Sequence, residues 1–214
     1  MNLNYSDEQQ MLRELIQKFC ESDYTFKKRE EIIKSGEGFN SDFWQQFSEL
    51  GWLSLPFKED SGGLGYGPVE LSILFEEFGK VLVVEPYLST VVLSGTIIDN
   101  STFDRRIELI EGIIKGEKHL SLAYIEPNQN FDHSAPQTTA LSQGDEILVN
   151  GKKSLVLNGG RANHFIVVVT LDDETTLVLI DKDQTGVSLN QYPTVDGQTC
   201  AELIFENVSI SNDE

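Results

Sequence analysis

Leu120-Ser121-Leu122-Ala123-Tyr124-Ile125-Glu126-Pro127 is the stretch at which the chain changes character. Upstream of it, apolar residues recur at helical spacing. Downstream, the period shifts toward two, as in a pleated strand. Working back toward the N-terminus, Arg105 to Lys115 carries Ile107, Leu109, Ile110, Ile113 and Ile114 and predicts a helix ended by Gly116. The mostly apolar run from Pro86 through Val91, Val92 and Leu93 to Ile97 and Ile98 predicts a buried helix. A long helix starts at Pro68 and carries Val69, Leu71, Ile73, Leu74, Phe75 and Phe78. Ser41 is a candidate cap for Phe43, Trp44, Phe47 and Leu50, with Gly51 at the stop position. Ser6 followed by Gln9 is a capping box ahead of Met11, Leu12, Leu15, Ile16 and Phe19, which predict an amphipathic helix.

Downstream, strands are predicted over 120–124, 146–149, 154–157, 165–171, 176–180, 186–191 and 201–205. Turn signals separate them, among them Asn150-Gly151, Asn158-Gly159-Gly160, Asp172-Asp173 and Asp196-Gly197. Many short strands at regular spacing predict an antiparallel barrel or sandwich. The fold class is therefore α+β and multidomain: an all-α N-terminal helical domain over 1–118, then an antiparallel β domain over 119–214.

The 214 residues include 16 Lys and Arg against 35 Asp and Glu, a formal net charge of −19. A nucleic-acid binder needs a basic face to neutralise phosphates, so nucleic acid and anionic membrane surfaces are excluded as expected partners. No apolar run reaches the ~18 residues of a membrane span. The start, Met1-Asn2-Leu3-Asn4-Tyr5-Ser6-Asp7, lacks the basic and apolar regions of a signal peptide. The expected location is the cytoplasm, with Cys20 and Cys200 as reduced thiols, although two cysteines also allow a disulfide. His119, His133 and His164 show no metal-ligand spacing.

Three ordered patterns say more. They are Pro56-x-x-x-x-x-Gly62-Gly63-x-Gly65 between helices, Glu126-Pro127 after the first strand, and Asn150-Gly151-x-Lys153-x-x-x-x-Asn158-Gly159-Gly160. Thr138-Thr139-Ala140 and Ala201-Glu202-Leu203-Ile204-Phe205-Glu206-Asn207-Val208 support them. In this order, the set resembles the acyl-CoA dehydrogenase family over essentially the whole chain. The resemblance implies a helical N-terminal domain, a β-barrel middle domain and a C-terminal four-helix bundle. It also implies flavin adenine dinucleotide (FAD) as cofactor, an acyl-CoA substrate and an electron-transfer acceptor. In the family a glutamate removes the α-proton while hydride passes to the flavin, so the cofactor supplies the redox chemistry.

The family's flavin contacts map onto Leu122, Tyr124 and Ile125 before Glu126-Pro127, onto Asn130 and Phe131 after it, and onto Leu155 and Leu157 on the later strand. Ile125 stands where a hydroxyl is usual, and Asn130-Phe131-Asp132 replaces Gly-Ser-Asp. Leu155 replaces the stacking Trp of Lys-x-Trp-Ile-Thr-Asn, and Leu157 replaces its Thr. Each lost hydrogen bond is worth about 1 kcal/mol net, and ~1.4 kcal/mol is tenfold in affinity. The pocket is therefore either re-lined by Tyr124 or Phe131, or not the occupied one. The pattern is similar to the small subunit of two-gene pimeloyl-CoA-type dehydrogenases and to subunits of heteromeric steroid side-chain dehydrogenases. Tyr24-Thr25-Phe26-x-x-Arg29 and Ser35-Gly36-Glu37-Gly38-Phe39 point the same way. This implies a homo-oligomer, or a heteromer with a second dehydrogenase subunit.

Thr90, Ser94 and Phe131 are candidate substrate contacts, with a core-facing hydroxyl as the other reading of the first two. Gly62, Gly63 and Gly65 either form a turn or line the substrate side. Asn158-Gly159-Gly160 reads as a hairpin turn in preference to a phosphate cradle. Glu76-Glu77 is a weak catalytic candidate, and Asp132-His133 a weaker dyad. The segment Ile210-Ser211-Asn212-Asp213-Glu214 falls where a family member continues into the bundle that carries the catalytic glutamate. No general base is therefore assigned within these 214 residues, and the chain alone is expected to be inactive as a dehydrogenase.

Overall fold

The computed structural model describes residues 4–127, 129, 135–144 and 146–211. Helices occupy the first part: α1 (Asp7–Ser22), α2 (Phe26–Ser35), α3 (Ser41–Glu49), α4 (Pro68–Val81), α5 (Thr96–Asp99) and α6 (Arg106–Ile114). Ser6 and Gln9 form the expected capping box on α1. Its apolar stripe is narrower than the sequence predicts, because Ile16, Phe19 and Cys20 are buried while Met11 and Leu15 face solvent. The cap of α3 is Asn40, whose side chain accepts from Phe43 N at 2.9 Å, so Ser41 is the first helical residue. The buried run after Pro86 is wound as a π-helix over Tyr87–Gly95 and then continues as α5. π-turns are rare and often mark functional segments.

The helical core is aromatic. Phe47 is fully buried and its ring centroid lies 5.4 Å from Phe19, 5.1 Å from Trp52 and 5.1 Å from Phe78. One side chain therefore joins α1, α3, the short turn after Gly51, and α4.

Among the described residues seven strands follow: β1 (Leu120–Ala123), β2 (Thr139–Gln143), β3 (Glu146–Leu157), β4 (His164–Leu171), β5 (Glu174–Asp181), β6 (Val187–Pro193) and β7 (Thr199–Ser211). They form one curled, mostly antiparallel sheet in the order β1-β4-β2-β3-β7-β6, with β5 on β4. Two pairings are parallel. One edge of β4 is shared by β1 along 164–167 and by β2 at 170–171, while β5 takes the whole other edge.

Strand β4 is buried on both faces. Phe165, Val167 and Val169 belong to the sheet's own core, whereas Ile166 joins Leu120 and Leu179 in the helical core. The helices thus sit on the face formed by β1, β4 and β5.

Asn150-Gly151 is not a turn. It lies inside the single long strand β3 as a register shift opposite β7. A Cβ on Gly151 would lie 2.6 to 2.7 Å from Thr138, so the bulge requires glycine there. Asn158-Gly159-Gly160 is a turn but not a hairpin, since β3 and β4 do not pair. Two of its amides are bonded within the chain: Asn158 N donates to Thr199 O at 2.8 Å and Gly159 N to Val156 O at 3.1 Å. Asp172-Asp173 is a true hairpin turn, with φ of 50° and 65° as a two-residue loop of this kind requires.

His119 sits at the seam between helices and sheet, 4.9 Å from the Phe39 ring and 5.1 Å from Trp44, with no partner for Nδ1. Burial pushes its pKa down from 6.5 to about 4. The unfolded chain therefore binds the extra proton first, and the neutral ring's contribution is complete above 6.5 and lost as pH falls toward 4. His119→Phe keeps a ring in place. Urea melts of the variant are expected to lose about 3 kcal/mol less stability between pH 7 and pH 4 than wild type.

Candidate functional site

The candidate site lies where β1 runs out toward Glu126 and meets the second half of β3. Two hydrogen bonds join these segments. Ser154 N donates to Ile125 O at 2.8 Å, and Ser121 Oγ donates to Leu157 O at 2.7 Å. A second register shift, between Lys153 and Val156, turns the strand. It places Leu155 in a positive-φ conformation (52°) with its side chain half exposed, and its N–H donates to the Tyr192 hydroxyl at 3.3 Å. Tyr124 is 37% exposed, and Ile125 and Leu157 are partly buried. The structure thus brings the Tyr124-Ile125 segment alongside the Leu155–Leu157 segment. Leu122 points elsewhere and packs against the helical core. Asn130 and Phe131, together with Asp132 and His133, lie outside the described residues.

Beneath this face is an ion pair that sequence reading missed. Lys153 and Glu126 are 1% and 3% exposed, and Lys153 Nζ donates to Glu126 Oε1 at 2.6 Å. The carboxylate also accepts from Thr138 Oγ1 at 2.6 Å, Thr138 N at 2.8 Å and Gln137 N at 2.6 Å. Burial alone pushes the Glu126 carboxyl up, but these donors, Lys153 first, hold it below its ordinary range. Burial lowers the Lys153 ammonium, and Glu126 opposes that. Four donors on one carboxylate fasten the chain on both sides of 128–134 to β3. The signal was present in the strand's alternation. Lys153 falls in the buried phase of β3 with Ile147, Val149 and Val156, and a buried lysine demands an acidic partner.

The substrate candidates separate. Thr90 is fully buried and its hydroxyl donates to Leu120 O at 3.2 Å, tying the π-helix to β1. Ser94 is fully buried, and its oxygen has no hydrogen-bond partner. Gly62 and Gly65 adopt positive φ, and a Cβ on Gly63 would lie 2.1 Å from Phe57 O. The glycine pattern is thus a tight turn. Asp99, 2% exposed, holds it by accepting from Lys58 N at 2.9 Å, Ser61 Oγ at 2.5 Å and Arg106 at 3.2 Å. Glu77 is likewise occupied, accepting from Arg13 at 2.9 Å, Gln17 at 3.2 Å and Lys80. Burial pushes it up, but Lys80 and Arg13 hold it below its usual range.

The basic residues of the sheet are mostly engaged. Lys153 is in the buried pair, Arg161 binds both the carbonyl and the carboxylate of Glu37, and Lys182 donates to Gly160 O at 2.7 Å. Lys152 is exposed. A flavin ring would find apolar surface at Tyr124 and Leu155. At Leu155 and Leu157 it would find no side-chain donor, and the Ile125 and Leu157 carbonyls and the Leu155 amide are already bonded within the chain. Among the described residues, the lining therefore fits the ring's apolar part, and Leu155 and Leu157 offer its polar edge no side-chain donor.

No helix among the described residues is long and apolar enough to cross a membrane. The short-chain specific acyl-CoA dehydrogenase of Clostridium acetobutylicum is 25% identical over 221 residues, covering 98% of this chain and 58% of that protein. The chain thus spans just over half the length of that relative. Among solved structures, the Tcur3481-Tcur3483 steroid acyl-CoA dehydrogenase G363A variant superposes with a TM-score of 0.87 at 26% identity, covering 95% of this chain and 56% of that one. The ChsE4-ChsE5 complex from Mycobacterium tuberculosis superposes at 0.89 with 20% identity, over 100% of this chain and 57% of that one, a likeness of fold. The acyl-CoA dehydrogenase N-terminal domain matches residues 6–117 and the middle domain matches 121–208. On that coverage, following the same helix-to-sheet transition that the geometry displays, the chain belongs to the acyl-CoA dehydrogenase family.

Proposed function

We propose that this chain supplies the N-terminal and middle domains, 1–118 and 119–214, of a FAD-dependent acyl-CoA dehydrogenase. The polar flavin contacts and the catalytic base come from residues outside these 214. The observation that carries this reading is the partly exposed face at Tyr124 and Leu155, held in place by the Glu126–Lys153 clamp, with leucines and so no side-chain donors at positions 155 and 157. Such a face is suited to being covered by another helical or flavin-bearing surface. A second reading, a non-catalytic subunit that completes a related subunit's site, draws on the same leucines at the stacking and hydroxyl positions. The ChsE4-ChsE5 neighbour is described as a complex. The substrate on either reading is an acyl-CoA thioester, the electrons pass to an external acceptor, and the location is the cytoplasm.

The placement of the ring over β3 has its own test. Leu155→Trp with Leu157→Thr restores one aromatic face and one hydroxyl. A hydrogen bond contributes about 1 kcal/mol and an aromatic contact about as much, so FAD affinity, read by quenching of flavin fluorescence, is expected to rise about 30-fold. An unchanged affinity in a folded double variant would remove the flavin from this face.

A further inference from the structure

Leu155 and Leu157 stand where the flavin's stacking and hydroxyl contacts are expected, and neither side chain can donate a hydrogen bond. The register of the neighbouring strands brings a hydroxyl to the same place from β6. Leu157 on β3 and Tyr192 on β6 both pair with Cys200 on β7, one from each side. Directly opposed residues of antiparallel strands project to the same face. Leu157, Cys200 and Tyr192 thus form one row across three strands. The adjacent row, Val156 and Ala201, belongs to the sheet's own core, so the row of Tyr192 projects to the opposite face. Strands β3 and β6 are about 10 Å apart across β7, and the phenol reaches across. Its hydroxyl ends beside β3, where Leu155 N donates to it at 3.3 Å in an exposed position.

The bulge explains why Leu155 turns to a side chain. Between Lys153 and Val156 strand β3 takes three steps while β7 takes two, from Leu203 to Ala201. The amides inside such a bulge lose their ladder partners. Ser154 N goes to Ile125 O, and Leu155 N goes to Tyr192. In that bond the N–H donates and the phenol oxygen accepts, which leaves the phenol O–H able to donate. Among the described residues no acceptor takes it. Burial pushes the phenol above its ordinary range, the Leu155 N–H opposes this, and Cys200 and Glu202 reinforce it. The phenol therefore keeps its proton at neutral pH.

We propose that Tyr192 is a flavin-binding residue of this chain, its O–H donating to a ring nitrogen or carbonyl oxygen of the cofactor in place of the hydroxyl that Leu157 lacks. It adds one contact from within the chain to the polar contacts that come from outside it, and it rests on the flavin reading of this face. The Leu155 N–H donating into the same phenol polarises the O–H and strengthens the outgoing bond.

The test titrates the full 214-residue chain with FAD, its leucine methyls and tyrosine Cζ carbons labelled for NMR. FAD is expected to move the Leu155 and Leu157 methyl resonances together with that of Tyr192 Cζ, which responds to hydrogen bonding at the phenol oxygen. Tyr192→Phe keeps the ring and is expected to bind FAD about tenfold more weakly, the effect of one hydrogen bond. Methyls that move while Tyr192 Cζ stays still, or an equal affinity in Tyr192→Phe, overturn the Tyr192 contact and leave the flavin reading standing. Leucine methyls that do not move overturn the flavin reading itself, and the contact falls with it. Should Tyr192→Phe not fold, the Tyr192 Cζ shift in the wild-type chain decides the matter.

Discussion

Lys153→Met is expected to destabilise the chain by about 3–5 kcal/mol, the usual consequence of leaving one member of a buried ion pair behind. The side chain is fully buried, and among the described residues its ammonium is the one formal positive charge bonded to Glu126. Without it the carboxylate keeps only Thr138 and the Gln137 amide as donors. The companion Glu126→Gln/Lys153→Met variant removes the stranded charge, and the Gln carbonyl oxygen still accepts from Thr138 N and Oγ1 while the Gln137 amide loses its acceptor. It is expected to recover part of the loss, because replacing both charges of a buried pair is often nearly neutral while one unsatisfied amide keeps a cost of about 1–3 kcal/mol. Urea melts of the two variants give the comparison. Equal destabilisation would mean that the pair is held for its shape and not for its charge balance.

Phe47→Ala is the second large effect, at about 3–5 kcal/mol. Phe47 has no exposed surface, and its neighbours come from three other segments, with Phe78 stacked at 5.1 Å and Phe19 edge-on at 5.4 Å. These rings are already packed on one another, so they can fill the vacated space only by moving the elements that carry them. Phe47→Leu, which keeps more of the volume, is expected to cost less than half as much. The sheet has its own core. Probes of the sheet that melt before those of the helices in Phe47→Ala would contradict this assignment.

How much of this was legible depended on whether a residue's environment is local. The helix starts, the change of period at Leu120 and the Asp172-Asp173 turn are written within a few residues each. Helix α2 escaped because Phe26–Ser35 buries only Ile32 and so lacks an apolar stripe. Strand β2 escaped for the same reason, with Ala140 its one buried residue. Asn150-Gly151 has the composition of a turn, and only the approach of Thr138 from another strand shows that it is a bulge. The Glu126–Lys153 clamp joins residues from different segments. Its only local trace is a lysine in the buried phase of a strand. At the candidate site, the motif spacing pointed to two segments, around Ile125 and around Leu155 and Leu157, that hydrogen bonds join in the fold. It placed Leu122 with them, although alternation along β1 turns that side chain to the helices. The spacing also left Thr90 open between ligand and helix, and the hydroxyl instead bonds the Leu120 carbonyl on β1.

The central claim is that these 214 residues hold a real but incomplete flavin face. Purification of the chain by itself, followed by an absorbance spectrum and an assay with an acyl-CoA and an artificial electron acceptor, tests it most directly. The account predicts a folded, colourless protein without turnover. It also predicts that flavin bands and activity appear when the chain is co-produced with a family subunit that carries the helical bundle. Stoichiometric flavin and acyl-CoA oxidation by the 214-residue chain alone would contradict it.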